Sequence, residues 1–362
     1  MELCIEKKYV EDIIRAIGRI SLKGIIHPAL KLSRINIKDG FFTISSTNLS
    51  LAVIISFPII NTEPKEVFVD TNTLDRILTG MVNTPEVTFI FKDNFIEIKT
   101  KIAKAKIPYQ NGEDMPSIPT PAGEHIVLPA SNLKRAFQIT IPGASTTDIK
   151  PELASLFITF KNNSITSVAT DAFQLIEYRE DVTTTKEISF LLPAREASDI
   201  LKIIEGVDGA LSGSYTDTLF EIKTKTTTIV AKLTLGLFPD YTAIIPKTVE
   251  SSVRILRADL DSALKFLMQL RGDNNHVHFD VHEQTIVFSV KTATGGESEY
   301  IINGVLEGEP FSGNILGTHL KTLATTVPVD GINISFYGNN KPFVATGARG
   351  NNFRYLMMPI SV

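Results

Sequence analysis

The chain of 362 residues has a single cysteine, Cys4, and no tryptophan. One thiol excludes an intrachain disulfide and fits a reducing cytosol. No apolar run is long enough to cross a bilayer. The longest, LAVIISFPII at 51–60, falls well short of the roughly 20 residues a spanning helix needs. The first residues, MELCIEKKYVEDII, place charges where a signal peptide needs an apolar core, so a cytoplasmic protein without a membrane partner is expected. The phosphate-binding GxxxxGK(S/T), the nucleophile elbow GxSxG and the zinc-binding HExxH are all missing. Neither an enzyme nor a cofactor is therefore expected. Nor does an excess of positive charge announce nucleic acid: the formal net charge is −4. A total, however, conceals distribution, and an acidic exterior can surround a basic inner face.

What is present is an ordinary globular composition, 43% apolar and 21% charged, in a chain too long for one core. It repeats itself. LCIEKKYVEDIIRAIGRI, IVLPASNLKRAFQIT and VRILRADLDSALKFLMQL share one design, a strand leading into an amphipathic helix. Their first apolar helix residues, Val10, Leu133 and Leu260, lie 123 and 127 residues apart. A second trio, EVFVDTNTLDRILTGM, ISFLLPAREASDILKII and FSGNILGTHLKTLATTV, puts Leu74, Ala197 and Leu320 at steps of 123. A Pro/Gly/polar joint at 111–125 and a second joint, IPKTVESS at 245–252, separate the repeats. The expectation is α+β with three domains, 1–121, 122–247 and 248–362, each with two helices packed on antiparallel sheets.

Each helix carries an apolar stripe at helical spacing: Val10, Ile13, Ile14 and Ile17; Leu74, Ile77, Leu78 and Met81; Leu133, Ala136 and Phe137; Ala197, Ile200, Leu201 and Ile204; Leu260, Ala263, Leu264 and Leu267; Leu320, Leu323, Ala324 and Val327. The outward faces bear bases, namely Arg15, Arg19, Arg76, Lys134, Arg135, Lys202, Lys265 and Lys321, with Lys23 just after the first helix. Two readings stay open. Lys and Arg are routine on solvated helix faces, and Glu11, Asp12, Asp199 and Asp261 share some of these faces. Alternatively, six helices on one side of the molecule would offer a surface for phosphates that does not read bases.

Two further segments raise questions. HVHFDVH puts His276, His278, Asp280 and His282 on one face of a strand, a set that could hold a metal but also describes the outer face of a strand whose Val277, Phe279 and Val281 are buried. No metal site is expected. The chain ends on YLMMPISV, with no charge after Arg354, which suggests a closing edge strand, an apolar docking surface, or both.

Five segments in order resemble the bacterial sliding clamp family, the beta subunit of DNA polymerase III. They are STNLSLAVI (46–54), LPASNLKRAF (128–137), VATDAFQL (168–175), LFPDYTAIIPK (237–247) and the terminal YLMMPISV. The resemblance spans the whole chain. It implies a non-catalytic, head-to-tail homodimeric ring, with helices lining a hole that encircles double-stranded DNA independently of sequence. It also implies an apolar groove that captures short linear motifs of the polymerase, the clamp loader and repair proteins. By position the groove is Leu153, Thr170, Ala172, Phe173, Gln174, Leu175, Pro239, Ala243, Ile244, Leu356, Met357, Met358, Pro359 and Ile360. The bases named above would face DNA, and the dimer contact would set Ala105 and Ile107 against Gln269 and Leu270.

There are departures. Ala172-Phe173-Gln174 stands where the family has Gly-His-Arg, Ala243 replaces an arginine, and Pro151-Glu152 replaces an aromatic pair. Partner motifs less acidic and more apolar than usual are therefore expected. An alternative reading is an interaction hub of the same fold that binds peptides without stable DNA encirclement.

Overall fold

A computed structural model describes residues 1–360 apart from 21–25, 61–62, 184–186, 273–274, 293, 349 and 351. Six α-helices are present among the described residues: α1 (Lys7–Ile17), α2 (Thr71–Met81), α3 (Ala130–Thr140), α4 (Ala194–Ile203), α5 (Arg257–Leu270) and α6 (Gly317–Thr326). Each follows directly on a strand, as the two sequence trios require. The α2 start shows the local chemistry: Asp70, extended at φ −61°, accepts the Thr73 N–H at 2.8 Å and so satisfies an amide that the first helical turn leaves unpaired.

The helix stripes bury much as their spacing predicts, with small shifts. In α1 the inward residues are Val10, Ile13, Ala16 and Ile17, and Ile14 is only half-buried. Ile77 and Leu201 are likewise half-buried. In α5 and α6 the predicted sets, Leu260, Ala263, Leu264, Leu267 and Leu320, Leu323, Ala324, Val327, are all in the core.

The chain forms two contact units. The first contains residues 1–134 and 195–233, and the second contains residues 135–194 and 234–362. The middle repeat is shared between them, so this partition differs from the three repeats. The first unit holds a four-stranded sheet, ordered Glu2–Glu6, Glu86–Phe91, Phe95–Lys99, Lys104–Pro108. It also holds an eight-stranded sheet running from Lys65–Asp70 at one edge to Glu124–Pro129 at the other. Fully buried Phe42, Phe57 and Phe89 knit its core through ring contacts of 5.2 and 5.7 Å.

The second unit holds a nine-stranded sheet ordered Ile188–Pro193, Ser155–Lys161, Ser164–Thr170, Gln174–Asp181, Phe353–Met357, Phe343–Gly347, Gly331–Phe336, Ser251–Leu256, Val305–Glu307. Its four-stranded sheet is ordered Glu297–Asn303, Thr285–Lys291, His276–Val281, Phe311–Leu316. Phe279, Phe311, Phe336 and Phe343 form one aromatic cluster with centroids 5.0–6.5 Å apart. Truncating the fully buried Phe343 to Ala would cost about 3–5 kcal/mol. All the paired strands run antiparallel.

The terminal strand corrects one expectation. Phe353–Met357 is not an edge. It pairs with Gln174–Asp181 on one side and Phe343–Gly347 on the other. That position accounts for the apolar ending: Phe353, Tyr355, Leu356 and Met357 are buried in the middle of a sheet.

Candidate partner groove and helix faces

The groove segments all belong to the second unit. Between strands Ser164–Thr170 and Gln174–Asp181, Asp171 closes a tight turn. Its Oδ1 accepts the Phe173 and Gln174 N–H groups, both at 2.9 Å, and the Thr170 hydroxyl donates to the Gln174 carbonyl at 2.6 Å. The turn holds Ala172 at φ +79°, a left-handed conformation that costs a residue with a Cβ about 1 kcal/mol. The turn drives Phe173 outward, 64% exposed, and Gln174 inward. There the Gln174 amide donates to Asp171 Oδ2 at 2.9 Å and to the Pro142 carbonyl at 3.3 Å, and Gln174 Oε1 accepts the hydroxyl of fully buried Tyr355. That hydroxyl also lies 3.1 Å from the His319 carbonyl on α6.

The tail is sewn to this turn. The Met358 N–H donates to the Phe173 carbonyl and the Ile360 N–H to the Asn314 carbonyl, each at 2.9 Å. The loop after residue 236 supplies the third side. Phe238 stacks on Phe157 at 5.1 Å with Tyr241 edge-on to it at 6.2 Å. These three rings and Ile245 pack against buried Val168, Leu175, Tyr337, Val344 and Leu356. Tyr241 lies beside Glu177; burial first, then that carboxylate, pushes its phenol pKa well up.

Among the groove residues expected from sequence, Ala172, Phe173, Pro239, Ala243, Ile244 and Met358 are exposed. Leu153, Pro359 and Ile360 are half-buried. Thr170, Gln174, Leu175, Leu356 and Met357 are buried and form the floor rather than a reachable wall. Sequence reasoning missed Phe157, Phe238, Tyr241 and Ile245 as supports. Phe238 and Tyr241 were visible in LFPDY as paired aromatics around a turn, whereas Phe157 carries no local signal.

The helix bases divide into engaged and exposed. In the first unit the Lys134 ammonium donates to the carbonyls of Glu205 and Val207 at 3.2 and 2.9 Å, a bond to the chain just after α4, and Arg15 lies 3.7 Å from Asp12. Arg19, Arg76 and Lys202 are exposed. Burial raises the carboxyl pKa of Asp75, opposed by Arg19 and Arg76. Burial likewise raises that of Asp199, opposed by Lys202, Arg195 and Arg19. Arg19, two residues past the end of α1, thus acts on acids of both α2 and α4. In the second unit Arg135 is paired with Glu180 at 3.1 Å and Lys265 with Asp261 at 2.7 Å, and Lys321 is exposed. Lys23, like the chain end at Ser361 and Val362, lies outside the described residues.

Of the dimer candidates, Gln269 and Leu270 are exposed and Ala105 is half-buried. Ile107 is 1% exposed, opposite Ile96 in its own sheet, and fills the core of the first unit. Phe266 and Ile301, both exposed, were missed; Phe266 sits one helical turn before Leu270 and its ring lies 5.8 Å from Tyr300. The histidine strand runs His276–Val281, with Val277, Phe279 and Val281 buried. His278 hydrogen-bonds Asn314 at 3.0 Å and Asp280 at 3.1 Å, and the described residues contain no group of three metal-ligating side chains.

His319 offers a test of this packing. It is buried, its Nδ1 has no hydrogen-bond partner among the described residues, and burial lowers its pKa from 6.5, opposed by Asp171. A depressed imidazole means the unfolded chain binds the proton more readily. Stability is therefore expected to fall as pH drops through about 6.5, by up to about 1.4 kcal/mol per pH unit, until the folded-state pKa is passed. Urea unfolding at pH 7.5 and 5.5 should show a smaller loss for His319→Leu than for the parent; equal losses would mean another group dominates.

Two helices repeated three times on antiparallel sheets, with a turn and tail meeting on one apolar floor, define a DNA-clamp architecture. The comparisons agree. The family described as DNA polymerase III beta subunit, central domain, matches residues 127–240. The beta sliding clamp of Rickettsia felis is 22% identical over 323 residues, 86% of this chain and 84% of that protein. That of Synechococcus elongatus is 22% identical over 351 residues, 93% and 92% of the two chains. The solved beta subunit of DNA polymerase III from Thermotoga maritima superimposes with a TM-score of 0.93 at 19% identity, covering 100% of this chain and 99% of that one. The central part of the chain thus matches the beta-subunit family model, and the whole chain has the fold of the sliding clamps it resembles.

Proposed function

We propose that this clamp works as a homodimeric ring of three-domain subunits (1–121, 122–247 and 248–362) that encircles duplex DNA. It tethers the replicative polymerase, the clamp loader and other replication or repair proteins through the groove around Phe173, Ile244 and Met358. The observation that carries the reading is the sixfold recurrence, in one chain, of a helix with a buried apolar stripe and an outward face bearing a base. Arg19, Arg76, Lys202 and Lys321 are the bases best placed for weak, sequence-blind phosphate contact, which lets a ring slide. No described helix is long and apolar enough to cross a membrane, and a cytoplasmic, nucleoid-associated location fits the role.

A second reading, a peptide-binding hub without stable encirclement, draws on two observations. Lys134, Arg135 and Lys265 are engaged within the chain, and Ile107 is buried in its own core. One experiment separates the two. Light scattering over a dilution series should give a mass near twice 39.8 kDa, and the loaded protein should stay on circular DNA and leave once the circle is cut. A monomer that leaves circular and linear DNA alike would favour the hub.

A further inference from the structure

The three groove segments, residues 170–175, 237–245 and 356–360, contain only two charged side chains, Asp171 and Asp240. Both are acidic. Two cations act nearby and both are already paired: Arg354 is bound to Glu177 at 2.8 Å, and Lys161, which lines the pocket beside Asp240 and Tyr241, to Glu187 at 3.2 Å. Asp171 is half-buried and Asp240 is exposed, where its Oδ1 accepts from the Thr242 N–H at 3.2 Å and the Thr242 hydroxyl at 2.6 Å. The exposed large side chains of these segments are apolar: Phe173, Ile244 (54% exposed) and Met358 (38% exposed). This apolar exposure continues along the same loop, where Gly236 at φ +146° turns Leu235 and Leu237 outward, 72% and 92% exposed. Isolated apolar side chains on a surface need no explanation, but a run of this kind beside a packed floor marks a docking face.

We propose that this groove selects an apolar peptide flanked by lysine or arginine and disfavours one flanked by aspartate or glutamate. The inference rests on the peptide-groove reading above and adds the charge of the occupant. Its physical basis is simple. The apolar run supplies the anchor contact, since burying each large side chain removes apolar area from water. The rim then decides between flanks, because an acidic flank meets Asp171 and Asp240 while Arg354 and Lys161 are held by Glu177 and Glu187, and a basic flank meets two opposite charges. Leu237 and Leu235 extend the anchor surface, so a longer apolar stretch gains further contact.

The test uses the full-length protein and three fluorescein-labelled nonapeptides with one Leu-Leu-Phe core, flanked by Lys-Lys, Ser-Ser or Glu-Glu. At about 50 mM salt the lysine peptide is expected to bind about tenfold tighter than the glutamate peptide, with the serine peptide between them. The gap should shrink at 500 mM salt, where the Debye length falls to a few ångströms. Asp240→Asn, which retains a side-chain oxygen for the Thr242 cap, should close much of it. Equal binding of the charged peptides, or a preference for glutamate, overturns the charge selection and leaves the groove standing. Failure of all three peptides to bind overturns the groove reading and this inference with it.

Discussion

Phe266→Asp together with Leu270→Asp is expected to run as a monomer near 39.8 kDa at concentrations where the parent is dimeric, and to lose retention on circular DNA. The two side chains sit on the exposed face at the end of α5, and Phe266 lies against Tyr300 on strand Glu297–Asn303. That strand is the outer one of its four-stranded sheet, with Ile301 exposed beside it. An edge strand offers a row of unpaired backbone groups, and apolar side chains next to it supply the desolvated contact that an interface needs. Lys104–Pro108 is also an outer strand, so the candidate faces for a head-to-tail contact are an edge and an edge. In the proposed ring Ile107, which turns inward, offers no contact, so the two α5 substitutions carry the largest expected effect. Each contact would bury two unpaired carboxylates, each costing several kcal/mol, and a closed ring of two copies has two such contacts. The parent and variant should melt within a few degrees of one another, since neither residue is buried within the chain. Persistence of the dimer would place the interface elsewhere.

The residues that determine these expectations were unevenly legible in the sequence. Helix stripes were readable because a 3.6 period is a local property, and the misses were single residues within a stripe, Ile14, Ile77 and Leu201: Ala16 is buried where Ile14 is not, since the face that meets the sheet is set by packing rather than by size alone. The apolar tail read as a strand, but whether a strand is an edge or central depends on its neighbours. One of these, Gln174–Asp181, lies far away in the chain. The groove turn was visible in DAFQL, yet the burial of Gln174 was not. Glutamine is usually exposed, and the partners that make burial tolerable, Pro142 and Tyr355, are 32 and 181 residues distant. Lys134 read as a solvated base for the same reason, because the carbonyls that hold it belong to Glu205 and Val207. Ile107 alternates correctly for a strand, but nothing local says which face is inward. What was legible is periodicity and turn chemistry; what was not is long-range satisfaction of polar groups.

Removing Met358 and the residues after it is expected to abolish capture of the apolar probe peptides, at least a tenfold loss, while leaving dimer mass and retention on circular DNA intact. The cut is chosen by burial. Phe353, Tyr355, Leu356 and Met357 are core residues of the nine-stranded sheet and stay. The deleted segment contributes one exposed methionine, the half-buried Pro359 and Ile360, and two backbone hydrogen bonds, from Met358 to Phe173 and from Ile360 to Asn314. Each bond contributes roughly 1 kcal/mol, so the loss to folding is modest, whereas losing an exposed anchor at the centre of a docking face costs about 2 kcal/mol or more in binding. Phe173→Ala provides the control. It keeps the tail and its Met358 tether, because the tether uses the backbone carbonyl, and it removes only the outward ring. A loss from both variants locates the groove where turn and tail meet. A loss from the truncation alone would assign the anchor to the tail and leave Phe173 as its support. Full binding by the truncated protein would remove the tail from the site altogether, and its apolar ending would then be explained by the sheet alone.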